Sequence, residues 1–431
     1  MSLKNTYIRS EALLQRAEKT IPLGSQTFSK SKLVYPLGVS PLFIQRGKGC
    51  QVWDADENQY TDFVNGLLSI SLGYCDKEVD DAVQEQLKNG VTFSLPHQLE
   101  MEVAEKMVEL IPCAEMVRFG KNGSDATSAA IRLARAYTGK EQVAVCGYHG
   151  WQDWYIGSTT RDLGVPKAVK SLTHKFNYND INSLEKVFIN NPETIAAVIL
   201  EPMNVFFPKD NFLQKVKALC EKNGAVLIFD ETITGFRYNL GGAQSLFGVT
   251  PDLATFGKGM ANGFPLSAVT GKKSIMMLME DIFYSGTFGG ETLSLAAAKA
   301  TMNKLVNNDV LTHIQQMGTL LIDGLKSLIQ KHNAQTLFSV SGHPAWSFLL
   351  IGKTNNITEQ ELSSLIQQEM HHRQLLVGGA HNISYSHQIS HIEKLLNAYD
   401  EIIPLVQKVN DEGGFEQYFH GQVTKPVFKV R

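Results

Sequence analysis

The sequence predicts an α/β fold: a large domain with a mostly parallel central sheet flanked by helices, and a smaller α+β domain. Two observations carry this reading. Between about residues 65 and 300, short apolar runs alternate with helical patterns, and several runs are apolar throughout, as for strands buried on both faces. Before and after that region the pattern changes to short alternating strands and long amphipathic helices.

In chain order, Ser10 to Thr20 reads as a helix with Leu13, Leu14 and Ala17 on one face, ended by Ile21-Pro22-Leu-Gly24. Ser25 to Ser31 is polar and loop-like. Phe43-Ile44, Gln51–Trp53, Gln59-Tyr60 and Asp62–Val64 read as short antiparallel strands, with Asp54–Asn58 as a turn. From Asp76, Val79, Val83 and Leu87 repeat at helical spacing, and Leu99 to Leu110 repeats the pattern with Val103, Met107, Val108 and Leu110. The expected strands of the large domain are Met116–Phe119, Val143–Cys146, Ala196–Leu200, Ala225–Asp230, Leu253–Phe256 and Leu266–Thr270. Leu311 to His332 is a strongly amphipathic helix. Phe338–Ser341 and Trp346–Ile351 read as strands, and Thr358–Gln374 and Ile389–Val406 as helices. These patterns divide the chain into 1–64, 65–300 and 301–431.

Composition narrows the function. With 431 residues the chain exceeds one small core, since domains average about 150 residues. Hydrophobic residues make up 43% and charged residues 19%, ordinary for a folded enzyme. A formal charge of −3 offers no electrostatic footprint for nucleic acid. No apolar run approaches the ~20 residues that span a bilayer. The first residues, with Lys4, Arg9, Glu11 and Arg16, lack the apolar core of a secretory leader. Five cysteines, odd in number and far apart, fit free thiols in a reducing cytoplasm. His381, His387 and His391 have no convincing metal-ligand spacing, so no metal is expected. His381 or Tyr385 is instead a candidate for a substrate entrance, and Trp151 and Trp154 for pocket wall or core.

Four places carry chemistry. Lys258 lies between Gly257 and Gly259 after an apolar strand, a turn where glycine permits positive φ and close backbone approach. Apolar Ala225–Phe229 ends in Asp230-Glu231-Thr232. A carboxylate at a strand's C-terminal end is placed either to meet a ligand or to cap the next segment. Asn122-Gly123-Ser124 joins a strand to a helix, where free N–H groups and the helix dipole favour a phosphate; Ser124 or Asp125 could equally be a plain N-cap. Gly147-Tyr148-His149-Gly150-Trp151 sets aromatic rings at another strand end, as a shelf for a flat ring or as a packed corner. Thr287, among glycines before an Ala-rich helix, is either a second phosphate contact or a helix cap.

A lysine, a strand-end carboxylate, a phosphate turn and an aromatic shelf together suit pyridoxal 5′-phosphate (PLP), which needs a Schiff-base lysine and an acid for its ring nitrogen. The chain resembles the class III aminotransferases of PLP fold type I, in the branch of glutamate-1-semialdehyde 2,1-aminomutase. The motifs are Ile21-Pro-Leu-Gly, Gly123-Ser-Asp-Ala, Tyr148-His-Gly, Glu201-Pro, Asp230-Glu-Thr-Ile-Thr-Gly-Phe-Arg237 and the Lys258 turn, spread over nearly the whole chain.

The resemblance implies that Lys258 forms the Schiff base and shuttles the proton, and that Asp230 keeps the pyridine nitrogen protonated. It implies that Tyr148 stacks on one ring face with His149 beside it, and that Thr232 faces the other. Asn122, Gly123 and Ser124 would bind the phosphate, and Glu201 would line the pocket. Thr287 would reach the phosphate of a neighbouring subunit in a homodimer. The segment 1–64 would pack with the C-terminal small domain.

Two features depart from aminomutases, and a third from many class III enzymes. Glu201-Pro-Met-Asn-Val-Phe-Phe-Pro208 lacks the aminomutase Gly-Asn, the threonine loop reads Gly286-Thr-Phe-Gly-Gly-Glu-Thr292, and Val377 to His387 lacks a carboxylate-clamping arginine. They point to an aminotransferase acting between an amino-acid donor such as glutamate and an aldehyde or ketone. Sequences of this type resemble proteins of amino-sugar and surface-polysaccharide pathways. The alternatives are an intramolecular amino shift and a PLP-fold protein without turnover.

Overall fold

The computed structural model describes residues 6–425 and divides into two compact units. One spans Lys77–Leu311. The other joins the chain up to Asp76 to the chain from Thr312 onward.

The first unit is built on seven strands: β1 (Met116–Gly120), β2 (Gln142–Cys146), β3 (Thr173–Lys175), β4 (Ile195–Leu200), β5 (Val226–Asp230), β6 (Leu253–Phe256) and β7 (Ser267–Gly271). Their order in the sheet is β1-β7-β6-β5-β4-β2-β3. Only β7 runs antiparallel, against β1 and β6; the pairings among β2 to β6 are parallel.

Alternate side chains along a strand point to opposite faces, and here both faces are apolar. Val143, Val145, Ala197, Ile199, Val226 and Ile228 pack against Ala129, Ala130, Leu133 and Ala134 of the helix Gly123–Thr138. Ala144, Val198, Leu200, Leu227 and Phe229 pack against Leu184 and Val187 of Ile181–Asn190 and Leu213, Val216 and Cys220 of Phe212–Asn223. Alanines on the first helix let its backbone come close to the sheet. The parallel arrangement gathers the C-terminal ends of β2, β4, β5 and β6 along one rim.

In the second unit, Ile44–Lys48, Gln51–Asp54 and Gln59–Asp62 form an antiparallel sheet, and Leu375–Leu376 adds to it in parallel. Phe338–His343, Trp346–Ile351 and Ala380–Asn382 form a second sheet. The helix Glu359–His372 starts at Thr358, which exchanges hydrogen bonds with Glu361 in a capping box. The last long helix continues through Pro404 to Glu412, beyond the expected Val406.

Some expectations change and others hold. Phe63 and Val64 lie outside the strand Gln59–Asp62, so Asp62–Val64 is not a separate strand. The Val79–Leu87 stripe is only partly a core face: Val79 is buried, while Leu87 is 56% exposed. His381 is a core histidine, with Nδ1 on the Ser347 hydroxyl at 3.1 Å and Nε2 on the Tyr399 hydroxyl at 2.7 Å. Trp154 is buried and donates its indole N–H to Ser128 Oγ at 2.9 Å, whereas Trp151 is exposed. All five cysteines are free. No helix among the described residues is long and apolar enough to cross a membrane.

Candidate active site

Strand alternation explains the end of β5. Asp230 and Glu231 are consecutive and therefore point apart. Glu231 accepts the N–H groups of Ala243 (2.7 Å) and Gln244 (2.9 Å) and the Thr234 hydroxyl, capping the helix Gly242–Phe247. The capping role open to Asp230 in the sequence is thus filled by its neighbour.

Asp230, 4% exposed, faces the rim. Its Oδ2 lies 2.8 Å from His149 Nδ1, and its Oδ1 accepts from Thr232 N and Thr255 Oγ1, both at 3.1 Å. Burial pushes this carboxyl up, but the bonds with His149 and Thr232 outweigh it and hold Asp230 below the usual carboxylate range. His149 Nε2 lies 3.1 Å from the Cys146 carbonyl. The two ring nitrogens thus face two acceptors, with Nδ1 turned to Asp230. The ring is fixed from the side by Tyr155, at 5.3 Å.

Lys258 follows β6 on the rim beside Asp230. The sequence suggests that glycine supplies the unusual backbone of this turn. In the structure Gly257 is extended and Lys258 itself is left-handed, with φ 44°. An L-residue there costs roughly 1–2 kcal/mol, which the surrounding packing must hold. The side chain is half-buried. Burial lowers the basicity of its amine, Glu201 and then Asp230 oppose that, and Arg237 adds to it.

Glu201 follows β4 on the other side of Asp230. Its Oε2 accepts the backbone N–H of Tyr148 at 3.0 Å and Asn204 Nδ2 at 2.9 Å. Burial, and then the charge of Asp230, raise its carboxyl above the ordinary range. Tyr148 is 46% exposed and stands edge-on to Tyr155, with centroids 5.6 Å apart.

The helix Gly123–Thr138 opens with Asn122 as N-cap, and Asp125 Oδ2 accepts from Asn122 N (2.8 Å) and Lys121 N (3.1 Å). The N–H groups of Gly123 and Ser124 meet no acceptor among the described residues. Ser124 Oγ accepts the Trp151 N–H at 3.2 Å, tying this turn to the one after β2. Gly150 makes the tie possible: its φ is 105°, and a Cβ there would stand 2.3 Å from Ser124 Oγ. Gly150→Ala is therefore expected to destabilise the protein by at least about 1–2 kcal/mol, read as a lower melting temperature; an unchanged melt would refute the close contact. Thr232 sits between two turns, since Cβ atoms at Gly123 and Gly257 would lie 3.2 and 3.4 Å from its Cγ2.

These residues fit PLP on structural grounds. Two unpartnered N–H groups head a 16-residue helix, a buried carboxylate is kept ionised, an amine of lowered basicity stands beside it, and a half-exposed aromatic ring adjoins them. Lys258, Asp230, Glu201, Tyr148, His149 and Thr232 all lie at or just beyond the ends of neighbouring strands, and Ser124 and Gly123 are tied to them. Thr287 is set apart, in an exposed loop lining a cavity of about 360 Å³ with Lys121, Asp125 and Arg132. It does not cap the next helix. Glu291 does so, accepting from Leu293 N (2.6 Å) and Ser294 Oγ (2.6 Å), and it also meets Lys121 Nζ at 3.0 Å.

Sequence reasoning missed Thr255, Asn204 and Tyr155. Thr255 is a lone hydroxyl in an apolar strand, directly opposite Asp230 in the register, and that was its available signal. Among the described residues no group of three or more His, Cys, Asp or Glu is placed to hold a metal ion.

The class-III aminotransferase family model matches residues 34–347. The chain is 34% identical over 419 residues to a 3-aminobutyryl-CoA aminotransferase of Cloacimonas acidaminovorans (strain Evry), covering 95% of this chain and 100% of that one. It is 38% identical over 338 residues to a glutamate-1-semialdehyde 2,1-aminomutase of Syntrophobacter fumaroxidans, covering 74% and 78%. The solved FumI protein of Sphingopyxis sp. MTA144, in its PLP internal aldimine form, matches with a TM-score of 0.85 and 27% identity over 93% of this chain and 97% of that one. With a family model spanning most of its length and full-length relatives, this chain belongs to the class-III aminotransferases and takes pyridoxal phosphate as its cofactor.

Proposed function

We propose that this enzyme moves an amino group from an amino-acid donor, glutamate, to a separate aldehyde or ketone acceptor. The observation that carries the site reading is the delivery of Glu201, Asp230 and Lys258 by three neighbouring parallel strands, with His149 behind Asp230. PLP, when bound, supplies an electron sink for the pair left when a C–H proton departs. Lys258 binds the cofactor through its amine and, once displaced, carries that proton. Asp230, oriented by His149 and Thr255, holds a positive charge on the ring nitrogen. Tyr148 and Thr232 would hold the ring, while Asn122, Gly123 and Ser124 would receive the phosphate.

Transfer between two molecules is favoured over an internal shift because Asn204 is engaged with Glu201 where aminomutases carry Gly-Asn, and because the Thr287 loop ends in the capping Glu291. The acceptor class we assign is a sugar-like carbonyl. The 38% identical aminomutase relative keeps the internal shift as a second reading. Adding L-glutamate alone to the PLP-loaded protein separates the two. The visible band should convert to that of the aminated cofactor with release of 2-oxoglutarate. A band that stays unchanged would overturn glutamate as donor.

We further propose a homodimer in which Thr287 serves the partner's phosphate site. Exposed apolar side chains on this unit, Leu87, Leu95, Met101, Phe283 and Phe288, support a covered face. Thr287→Ala should weaken cofactor retention on gel filtration by on the order of tenfold. Full retention by a monomer would refute the shared site.

A further inference from the structure

Glu201 has one oxygen committed and one free. Tyr148 N and Asn204 Nδ2 both bind Oε2. Oε1 makes no hydrogen bond to any described residue, yet it is not sealed from solvent. The committed oxygen fixes the direction of the free one. A Cβ at Gly147 would stand 2.5 Å from Oε2, so that glycine is what allows the carboxylate to sit this close to the Tyr148 turn.

The sheet sets where the carboxylate lies. β4, β5 and β6 are consecutive neighbours, with Leu200 opposite Phe229 and Asp230 opposite Thr255. Strands lie about 4.8 Å apart, so Glu201 and Lys258 flank Asp230 with roughly 10 Å between their strands, a gap their long side chains narrow. Lys258 feels Glu201 more strongly than Asp230. Asp230 has both oxygens engaged, which leaves Glu201 as the carboxylate of the three-strand rim with an open oxygen.

An amino donor reaches the site with its nitrogen protonated, and an ammonium has no electron pair with which to attack. We infer that Glu201 Oε1 receives the donor's ammonium group and takes one proton from it. The N–H bond breaks and leaves its electron pair on nitrogen, an O–H bond forms on Oε1, and the donor becomes a neutral nucleophile. The Glu201 carboxyl then returns the proton to water before the next cycle. Burial raises the proton affinity of this carboxyl, which favours its taking a proton in the neutral range where the donor arrives charged. The charged and titratable groups around it are Asp230, His149 and Lys258, with Tyr148, Tyr155, Tyr178 and Tyr238, the tyrosines pushed up by burial and thus uncharged in this range.

This inference rests on the reading of Lys258 and Asp230 as the cofactor site. The test uses PLP-loaded protein and two small nucleophiles: n-propylamine, an ammonium at neutral pH, and O-methylhydroxylamine, already neutral there. Loss of the lysine-linked cofactor is followed against pH by borohydride quenching and mass measurement, since n-propylamine leaves the visible band nearly unchanged. Glu201→Gln keeps an oxygen for Tyr148 N and Asn204 but removes the base. It should slow n-propylamine by about tenfold or more at neutral pH, with the gap closing as the pH rises and the amine becomes neutral. The rate with O-methylhydroxylamine should stay within about twofold. Equal loss with both nucleophiles, or no loss with either, overturns the inference.

Should Glu201→Gln fail to hold the cofactor, the parent protein alone decides. Its rate with n-propylamine should fall with pH less steeply than the free-amine fraction, and a rate that tracks that fraction throughout overturns the inference. A parent protein that forms no lysine-linked band sinks the site reading instead, so the two failures are distinguishable.

Discussion

Lys258→Ala should abolish transamination, lowering the rate by roughly four orders of magnitude or more, because in the proposed site one amine both anchors the cofactor and carries the proton. Alanine meets the same left-handed backbone at φ 44°, so the turn gains no new strain of its own. The variant should therefore melt close to the parent while losing the lysine-linked band. A stopped-flow half-reaction with L-glutamate reads the loss. A rate within about tenfold of the parent would contradict the role given to Lys258.

Asp230→Ala should have the second largest effect. It leaves His149 Nδ1, Thr255 Oγ1 and Thr232 N facing a buried space with no acceptor. The structural cost of such unpaired groups is about 1–3 kcal/mol. The chemical cost is larger, on the order of 10²–10³ in rate, because in the proposed site Asp230 supplies the preorganised negative charge for the ring nitrogen. Asp230→Asn separates the two effects: it keeps the shape and most hydrogen bonds, so the rate should fall with little loss of stability.

The pH dependence has a definite sign. Asp230 is held below its ordinary range in the folded state, so its stabilising contribution is present above the unfolded-chain value and is lost as the pH falls through the lower folded value. The stability gap between parent and Asp230→Ala should thus be full at neutral pH and shrink only in acid. A gap that widens toward acid would show the opposite shift.

The fold was legible wherever burial on both faces made a strand continuously apolar. Leu253–Phe256 and Trp346–Ile351 were read to the residue, and the other five expected strands of the large sheet to within one residue at each end. Thr173–Lys175 escaped because it is a three-residue edge strand of Thr, His and Lys, with no apolar run to mark it. Leu87 misled because helical spacing tells which residues share a face, but not whether anything covers that face.

At the site, the sequence located the strand ends but not the division of labour on them. Asp230 and Glu231 are adjacent and alike in chemistry, and only the pleat determines which one caps a helix. The glycines around Lys258 suggested a glycine conformation that the lysine itself adopts. His381 looked available because sequence spacing does not reveal that Ser347 and Tyr399 satisfy both of its ring nitrogens.

The most direct test of the account is borohydride reduction of the PLP-loaded protein followed by peptide mapping. The account predicts a single reduced pyridoxyl mark, on Lys258, that is absent from Lys258→Ala. A mark on another lysine, or a lysine-linked visible band that survives in Lys258→Ala, would contradict it.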